Sequence, residues 1–217
     1  MTLFRLDASI RADGSHSRQV ADLVEQEWRA AHPDSAVVRR HVGREPLSAD
    51  AWATAVSAAY VPAERRTPAQ LRATALATTL VDELVDGDAL LFAVPLYNFG
   101  VSQHFKTWVD LVITEPRMAS GAERALAGKP AVLVAVRGGA YGPGTPRDGW
   151  DHATPWMRRI LADVWQLDLR VVEAELTLVG VNPALDELRE LAARMREAAE
   201  DLARAHGRDI AGRHAAA

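Results

Sequence analysis

The chain has 217 residues, with 25 basic and 29 acidic side chains, a formal net charge of -4 and no cysteine. That length suits one α/β domain with a sizeable core, the charge gives no footing for nucleic acid, and the missing thiols exclude disulfides, thiol catalysis and thiolate-bound metal. No apolar run approaches the about 18 residues of a membrane span, and Met1 to Ser9 lacks a cationic segment leading into a long apolar one, so a cytoplasmic protein is expected.

Leu3 to Leu6 reads as a short strand, followed by a polar loop, Asp7 to Ser17, that carries Ser9, Gly14, Ser15, His16 and Ser17. Val20, Leu23, Val24, Glu27 and Trp28 then recur at helical spacing up to His32-Pro33. Ser15 and Ser17 stand where that helix begins, so their hydroxyls and its first free N–H groups converge. Such a point suits a phosphate monoester, with His16 and Arg18 adding charge; plain N-capping is the alternative. Neither G-x-G-x-x-G nor G-x-x-x-x-G-K-[ST] occurs in the loop, which excludes a dinucleotide fingerprint and a nucleoside triphosphate P-loop.

Ala36 to His41 reads as a second strand, near a sheet edge because of its charged end. A helix is expected from Ser48 to about Tyr60, then a charged surface connector, then Thr67 as N-cap with Pro68 at the first helical position. Leu71, Leu76, Leu80 and Leu84 carry that helix to Gly87. Ala89 to Val94 is a strand buried on both faces, expected to stop at Pro95, which has no donor for a ladder. Leu96 to Gly100 then forms a loop, and Val101, Phe105, Trp108, Val109 and Val112 resume at helical spacing with Ser102 as N-cap. A loop between a buried strand and a helix is where open α/β sheets bind ligands. Tyr97 and the Asn98 amide suit a flat heteroaromatic ring with polar edges; a turn with Tyr97 and Phe99 in the core is the alternative.

From Ile113 to Ala127, Pro116 and Gly121 break any helix, leaving one turn at Ala122 to Leu126. Ala131 to Val136 is another buried strand, ending in Arg137-Gly138-Gly139, whose glycines let backbone approach a ligand closely. Tyr141 to Asp151 is too rich in glycine and proline for a helix and reads as a lid or binding loop. Trp150 and Trp156 are placed either at a substrate opening or in the core. His152 is either a proton donor or, preferred, a surface residue. A helix starts at Thr154-Pro155, and a last strand spans Leu169 to Leu178 with Glu173 and Glu175 pointing outward. The terminal helix after Pro183 is read through Leu185, Leu188, Leu191, Met195 and Leu202, with a frayed tail over about 207–217.

Five strands alternating with helices imply a parallel sheet covered on both faces and joined by right-handed crossovers, in a single domain over 1–217. The P-L-Y-N-F run at Pro95 to Phe99, with F-K-x-W-x-D from Phe105 to Asp110, resembles the FMN-dependent NAD(P)H azoreductase and quinone reductase family of flavodoxin-like proteins. The resemblance implies a doubly wound five-stranded sheet of order 2-1-3-4-5, in which the loops after strands one, three and four share one rim. It also implies an FMN site: Ser9, Ser15, His16 and Ser17 on the phosphate; Pro95, Leu96, Tyr97, Asn98 and Phe99 on the isoalloxazine; Arg137, Gly138 and Gly139 at the pyrimidine edge. Where many members have serine before that arginine, this chain has Val136, offering only its backbone. Where they have histidine, it has Tyr141, which keeps a donor for the flavin O2 edge. Thr114 to Ser120 stands in place of a longer segment whose F-x-Y pair covers the flavin.

The implied activity is hydride transfer from NADH or NADPH to FMN and onward to quinones or aromatic azo compounds, in a homodimer, with the cofactor carrying the chemistry. Two other readings stand beside it: reduction of one biosynthetic quinone, and non-catalytic electron transfer to a protein partner.

Overall fold

The structure, a computed structural model, describes residues 1–118 and 125–213. In chain order it comprises β1 (Thr2–Asp7), α1 (His16–Ala31), β2 (Ala36–Arg40), α2 (Ala51–Ala58), α3 (Pro68–Asp86), β3 (Ala89–Tyr97), β4 (Gly100–Val101), α4 (Gln103–Val112), β5 (Pro130–Val136), α5 (Thr154–Arg158), β6 (Asp168–Ala174) and α6 (Arg189–Gly212). The sheet runs β2-β1-β3-β5-β6, all parallel, with the two-residue β4 antiparallel to β3. Setting β4 aside, this is the expected order.

Alternation along β3 explains the layers. Leu90, Phe92 and Val94 meet α2, α3, α4 and α5, together with Phe4, Phe105 and Trp108. Ala89, Leu91 and Ala93 meet α1 and α6, with Trp28, Val132 and Val134. A strand whose two faces are both buried belongs at the sheet centre, and its carboxyl end therefore opens between two helical layers.

Several boundaries differ from expectation for identifiable reasons. β3 does not stop at Pro95, which pairs with Val136 in the parallel ladder. The Ala93 carbonyl accepts from Ala8 N, so by alternation Pro95 turns its nitrogen toward β1, whose ladder with β3 ends at Asp7. The missing N–H therefore leaves no partner unsatisfied. β6 ends at Ala174 rather than Leu178. α2 begins only at Ala51. Thr67 does cap α3 as expected, in a reciprocal pair with Gln70.

The terminal helix buries a different face from the one its leucines suggest. Ala192, Ala199, Ala203 and Gly207 are buried, while Leu191 and Leu202 are 39% and 41% exposed. A Cβ on Gly207 would stand 2.8 Å from Val24 O and from Glu27 Cβ, so α1 and α6 approach too closely for large side chains. The expected frayed tail is likewise corrected: the helix continues to Gly212, with Ile210 and Ala211 buried. Residues 214–217, and residues 122–124 of the turn expected at Ala122 to Leu126, lie outside the described residues. Among the described residues no helix is long and apolar enough to cross a membrane.

Candidate active site

A cleft of ≈ 150 Å³ opens at the carboxyl ends of β1, β3 and β5. The loop after β1 contributes Ser9, Arg11, Ser15, His16 and Ser17, the end of β3 contributes Pro95, Leu96 and Tyr97, and the end of β5 contributes Val136 and Gly138. Thr177 and Leu178, beyond β6, complete the wall.

The first end of the cleft is the N-terminus of α1. Ser15 is its N-cap and accepts from Arg18 N at 3.4 Å, while the Ser15 and Ser17 hydroxyls lie 3.2 Å apart. Ser9 Oγ accepts from Arg11 N at 3.3 Å. Hydroxyls and the start of the helix thus face one small volume, a geometry and dipole that suit an anion. Arg18 has a different role from the one expected. Its guanidinium donates to the Arg11 and Ala12 carbonyls at 2.7 and 2.8 Å, so it folds the loop, and Arg11 is the cation on the cleft wall. Burial lowers the His16 pKa below its ordinary value, and the charges of Arg196 and Arg11 lower it further.

Two features beneath this loop hold it. Gly43 packs against it so tightly that a Cβ there would lie 2.8 Å from Ala8 O and nearer still to Ser9 O. Arg5, 1% exposed, pairs with Asp7 at 3.2 Å, Asp22 at 2.6 Å and Glu25 at 2.8 Å, and also donates to Arg18 O.

At the other end β3 and β4 form a hairpin, pairing Leu96 with Val101 and Tyr97 with Gly100. Its two turn residues, Asn98 and Phe99, have φ of 48° and 64°, the left-handed pair that a two-residue hairpin requires. Asparagine tolerates that conformation; for phenylalanine it is strained. Both residues, expected on a ring, stand exposed at the turn next to the cleft residue Tyr97. Tyr97 does line the cleft, and its Oη accepts from Ile10 N at 3.2 Å, tying the hairpin to the loop after β1. Ser102 begins α4 without a side-chain cap and instead donates to Ala8 O at 3.4 Å.

Arg137 leads out of β5 beside the cleft residue Val136. Its side chain, though expected at a ligand edge, is buried in an ionic cluster with Asp151 at 2.8 Å, Glu173 at 3.0 Å and Glu175 at 2.7 Å, and donates to Thr154 Oγ1 at 3.1 Å. Glu175, expected outward, turns in to make this pair. The chain after β6 then folds over the glycines: Leu176 N, Thr177 N and Leu178 N donate to the carbonyls of Gly139, Arg137 and Gly138. A Cβ on Gly138 would meet Leu178 Cδ1 at 2.6 Å, so the glycine admits Leu178 to the cleft. Sequence reasoning missed Thr177 and Leu178 because their apolar alternation continues that of β6.

Tyr141 is buried beside the cleft, not in its wall, 6.4 Å from Phe99 between ring centroids. Trp150, half exposed, lies 5.4 Å from the same ring. Trp156 packs against Phe105 and the core instead. The exposed His152 donates its backbone N–H to Phe99 O at 3.0 Å. Among the described residues no group of acidic or histidine side chains is set to hold a metal.

An open parallel sheet of this order, with its cleft where β1 and β3 diverge toward their loops, defines the flavodoxin-like class of α/β proteins. The chain belongs to the flavodoxin-like fold family, whose model matches residues 1–199. A relative from Frankia alni, an FMN-dependent NADH:quinone oxidoreductase, is 40% identical over 205 residues, which are 94% of this chain and 97% of that one. Another of the same description, from Streptomyces avermitilis, is 34% identical over 216 residues and 99% of both chains. Among solved structures, the azoreductase AzrA superposes with a TM-score of 0.77 at 17% identity, over 96% of this chain and 100% of that one, a likeness of fold.

Proposed function

We propose that this chain is an FMN-dependent NADH oxidoreductase that reduces quinones and aromatic azo compounds. The observation that carries the reading is the meeting, in one cleft, of a hydroxyl-rich helix N-terminus and an apolar slot built by three neighbouring strands. Such a cleft fits a molecule that is a phosphate monoester at one end and a flat ring at the other, as FMN is. When bound, FMN supplies the hydride and electron chemistry, taking two electrons from the nicotinamide and delivering them to the acceptor.

The residues divide the work in this reading. Ser9, Ser15 and Ser17 hold the phosphate with the first N–H groups of α1, and Arg11 and His16 balance its charge. Pro95, Leu96, Tyr97, Val136 and Leu178 exclude water from the ring, while backbone at Gly138 and the Thr177 hydroxyl meet its polar edge. Asn98, Phe99, Gly139 and Tyr141 shape the rim, and Arg137 positions the loops without touching the ring. No protein side chain is assigned a chemical step. NADH is the donor expected from the relatives' names, with NADPH the alternative.

We place the protein in the cytoplasm and assign it a homodimer. Trp52, Val56 and Tyr60, four residues apart along one face of α2 and its exit, are 47%, 36% and 85% exposed, an apolar stripe that a second copy would cover. Sizing the protein by light scattering tests that assignment. The test of the function is the visible spectrum of purified protein after incubation with FMN and gel filtration. Retained flavin absorbance, bleached by anaerobic NADH and restored by quinone, supports the reading; protein that retains no flavin refutes it.

A further inference from the structure

The loop between the glycines and α5 holds an arginine that the site described above does not use. Arg147 lies with its guanidinium carbon 5.9 Å from the Phe99 ring centroid and 5.7 Å from that of Tyr141. Its Nη1 donates to Tyr141 Oη at 3.4 Å. Trp150 stands at the edge of the same Phe99 ring. Among the described residues Arg147 has no carboxylate partner, in contrast to Arg5, Arg117 and Arg137, each of which has two or three.

Two observations put this cation at the mouth of the cleft. Phe99 sits on the hairpin whose Pro95, Leu96 and Tyr97 line the cleft. Gly139 follows the cleft residue Gly138, and a Cβ at Gly139 would stand 2.7 Å from Arg147 Nη1. The glycine therefore leaves room for the guanidinium beside the opening. A cation cushioned on two aromatic faces keeps its charge available while losing little side-chain freedom on binding a partner. What such a device recognises is an anion attached to a ring: the ring packs on Phe99 and Trp150, and the anion pairs with Arg147.

We propose that Arg147 is a specificity-determining residue for the electron acceptor, selecting quinones or azo compounds that carry a sulfonate or carboxylate over neutral ones with the same ring. The proposal rests on the oxidoreductase reading and deepens it by naming the acceptor class. The reaction itself is unchanged: two electrons from NADH, with two protons from NADH and solvent, convert quinone to hydroquinone.

The experiment measures kcat/KM, at saturating FMN and NADH, for 1,4-naphthoquinone-2-sulfonate and for neutral 1,4-naphthoquinone. Their ratio is compared across wild type, Arg147→Gln and Arg147→Lys, which cancels the difference in reduction potential between the two probes. The ratio is expected to fall about fivefold in Arg147→Gln, mostly through KM of the sulfonate. Arg147→Lys should restore part of it, and added salt should lower the ratio only where a cation is present. A ratio left unmoved by Arg147→Gln overturns the proposal; if NADH is then varied at fixed quinone and only its KM rises, the cation belongs to the donor's pyrophosphate. Wild type that binds FMN yet reduces neither quinone overturns the oxidoreductase reading, and the proposal with it.

Discussion

The two ends of the cleft rest on two buried arginines, and the contrast between them separates scaffold from site. Arg5 and Arg137 are 1% and 6% exposed, and each faces three carboxylates. The partners of Arg5 lie in β1 and α1, regular elements that cross-strand and helical hydrogen bonds already fix. The partners of Arg137 lie at the edge of β6, in the segment leaving it and in the turn before α5. Arg5 therefore fastens a helix to a sheet, whereas Arg137 gives irregular chain the only long-range ionic anchor that segment has among the described residues. The phosphate end should behave as part of the global fold, and the ring end as a loop assembly with its own local stability.

Arg137→Gln should have the largest effect. It leaves Asp151 and Glu175 buried without a counter-charge, a loss of about 3–5 kcal/mol. Hydrogen exchange should accelerate first in residues 138–151 and 175–178, with α1 still protected. Arg5→Gln is of similar size but should expose α1 and β1 together. Matching exchange patterns for the two variants would break the comparison.

A pH titration of stability isolates the first cluster. Burial pushes the Glu25 carboxyl up, but hydrogen bonds from Arg39, Arg29 and Arg5 outweigh this and hold it at about 2. Unfolded, the carboxyl titrates at an ordinary value near 4.3. A group depressed in the folded state stabilises above its unfolded pKa, and the contribution fades as pH falls toward the folded value. Stability should therefore drop by about 3 kcal/mol between roughly pH 5 and pH 2 on account of this group. Glu25→Gln should remove that part of the slope in urea unfolding curves.

The same contrast decides what can be read in the sequence. The caps at Ser15 and Thr67 and the hydroxyl-rich loop are legible, because each depends on residues adjacent in the chain, whereas the strand order, which joins residues as far apart as Leu3 and Ala89, comes only with the family resemblance. Arg5 is hard to read as a buried cation, since only Asp7 is near it in the chain and its other two partners, Asp22 and Glu25, lie 17 and 20 residues away. Arg137 is conspicuous, yet its role is not. An arginine before two glycines looks the same whether it faces a ligand or three carboxylates from other segments. The alanine face of α6 is hidden for a related reason. Apolar periodicity weights leucines, yet close approach at Gly207 makes the small residues the buried ones.

Gly43→Ala tests the phosphate end without touching the cleft. The added methyl collides with backbone at Ala8 and Ser9, neither of which is a flexible chain end. A destabilisation of about 1–3 kcal/mol is expected. Since Ser9 must move, FMN affinity should fall more than riboflavin affinity, as measured by fluorescence quenching. Equal losses for both ligands would mean that the whole rim had shifted, and the two ends would then not be separable.

The smallest expected effect is the pH dependence of FMN affinity, and its sign is diagnostic. In the free protein His16 is held below its ordinary pKa, by burial first and by Arg196 and Arg11 next. A phosphate placed beside it favours the imidazolium and raises that pKa, so binding takes up a proton in the window between the free and bound values. Affinity should therefore weaken as pH rises through that window, by at most about tenfold per unit. The phosphate's own second ionisation, near pH 6, acts in the opposite direction, because its dianion binds the helix terminus more strongly. His16→Gln should abolish the fall and leave only the rise, and riboflavin should show neither. A fall that survives in His16→Gln would assign the proton to another group and leave His16 as a wall of the cleft.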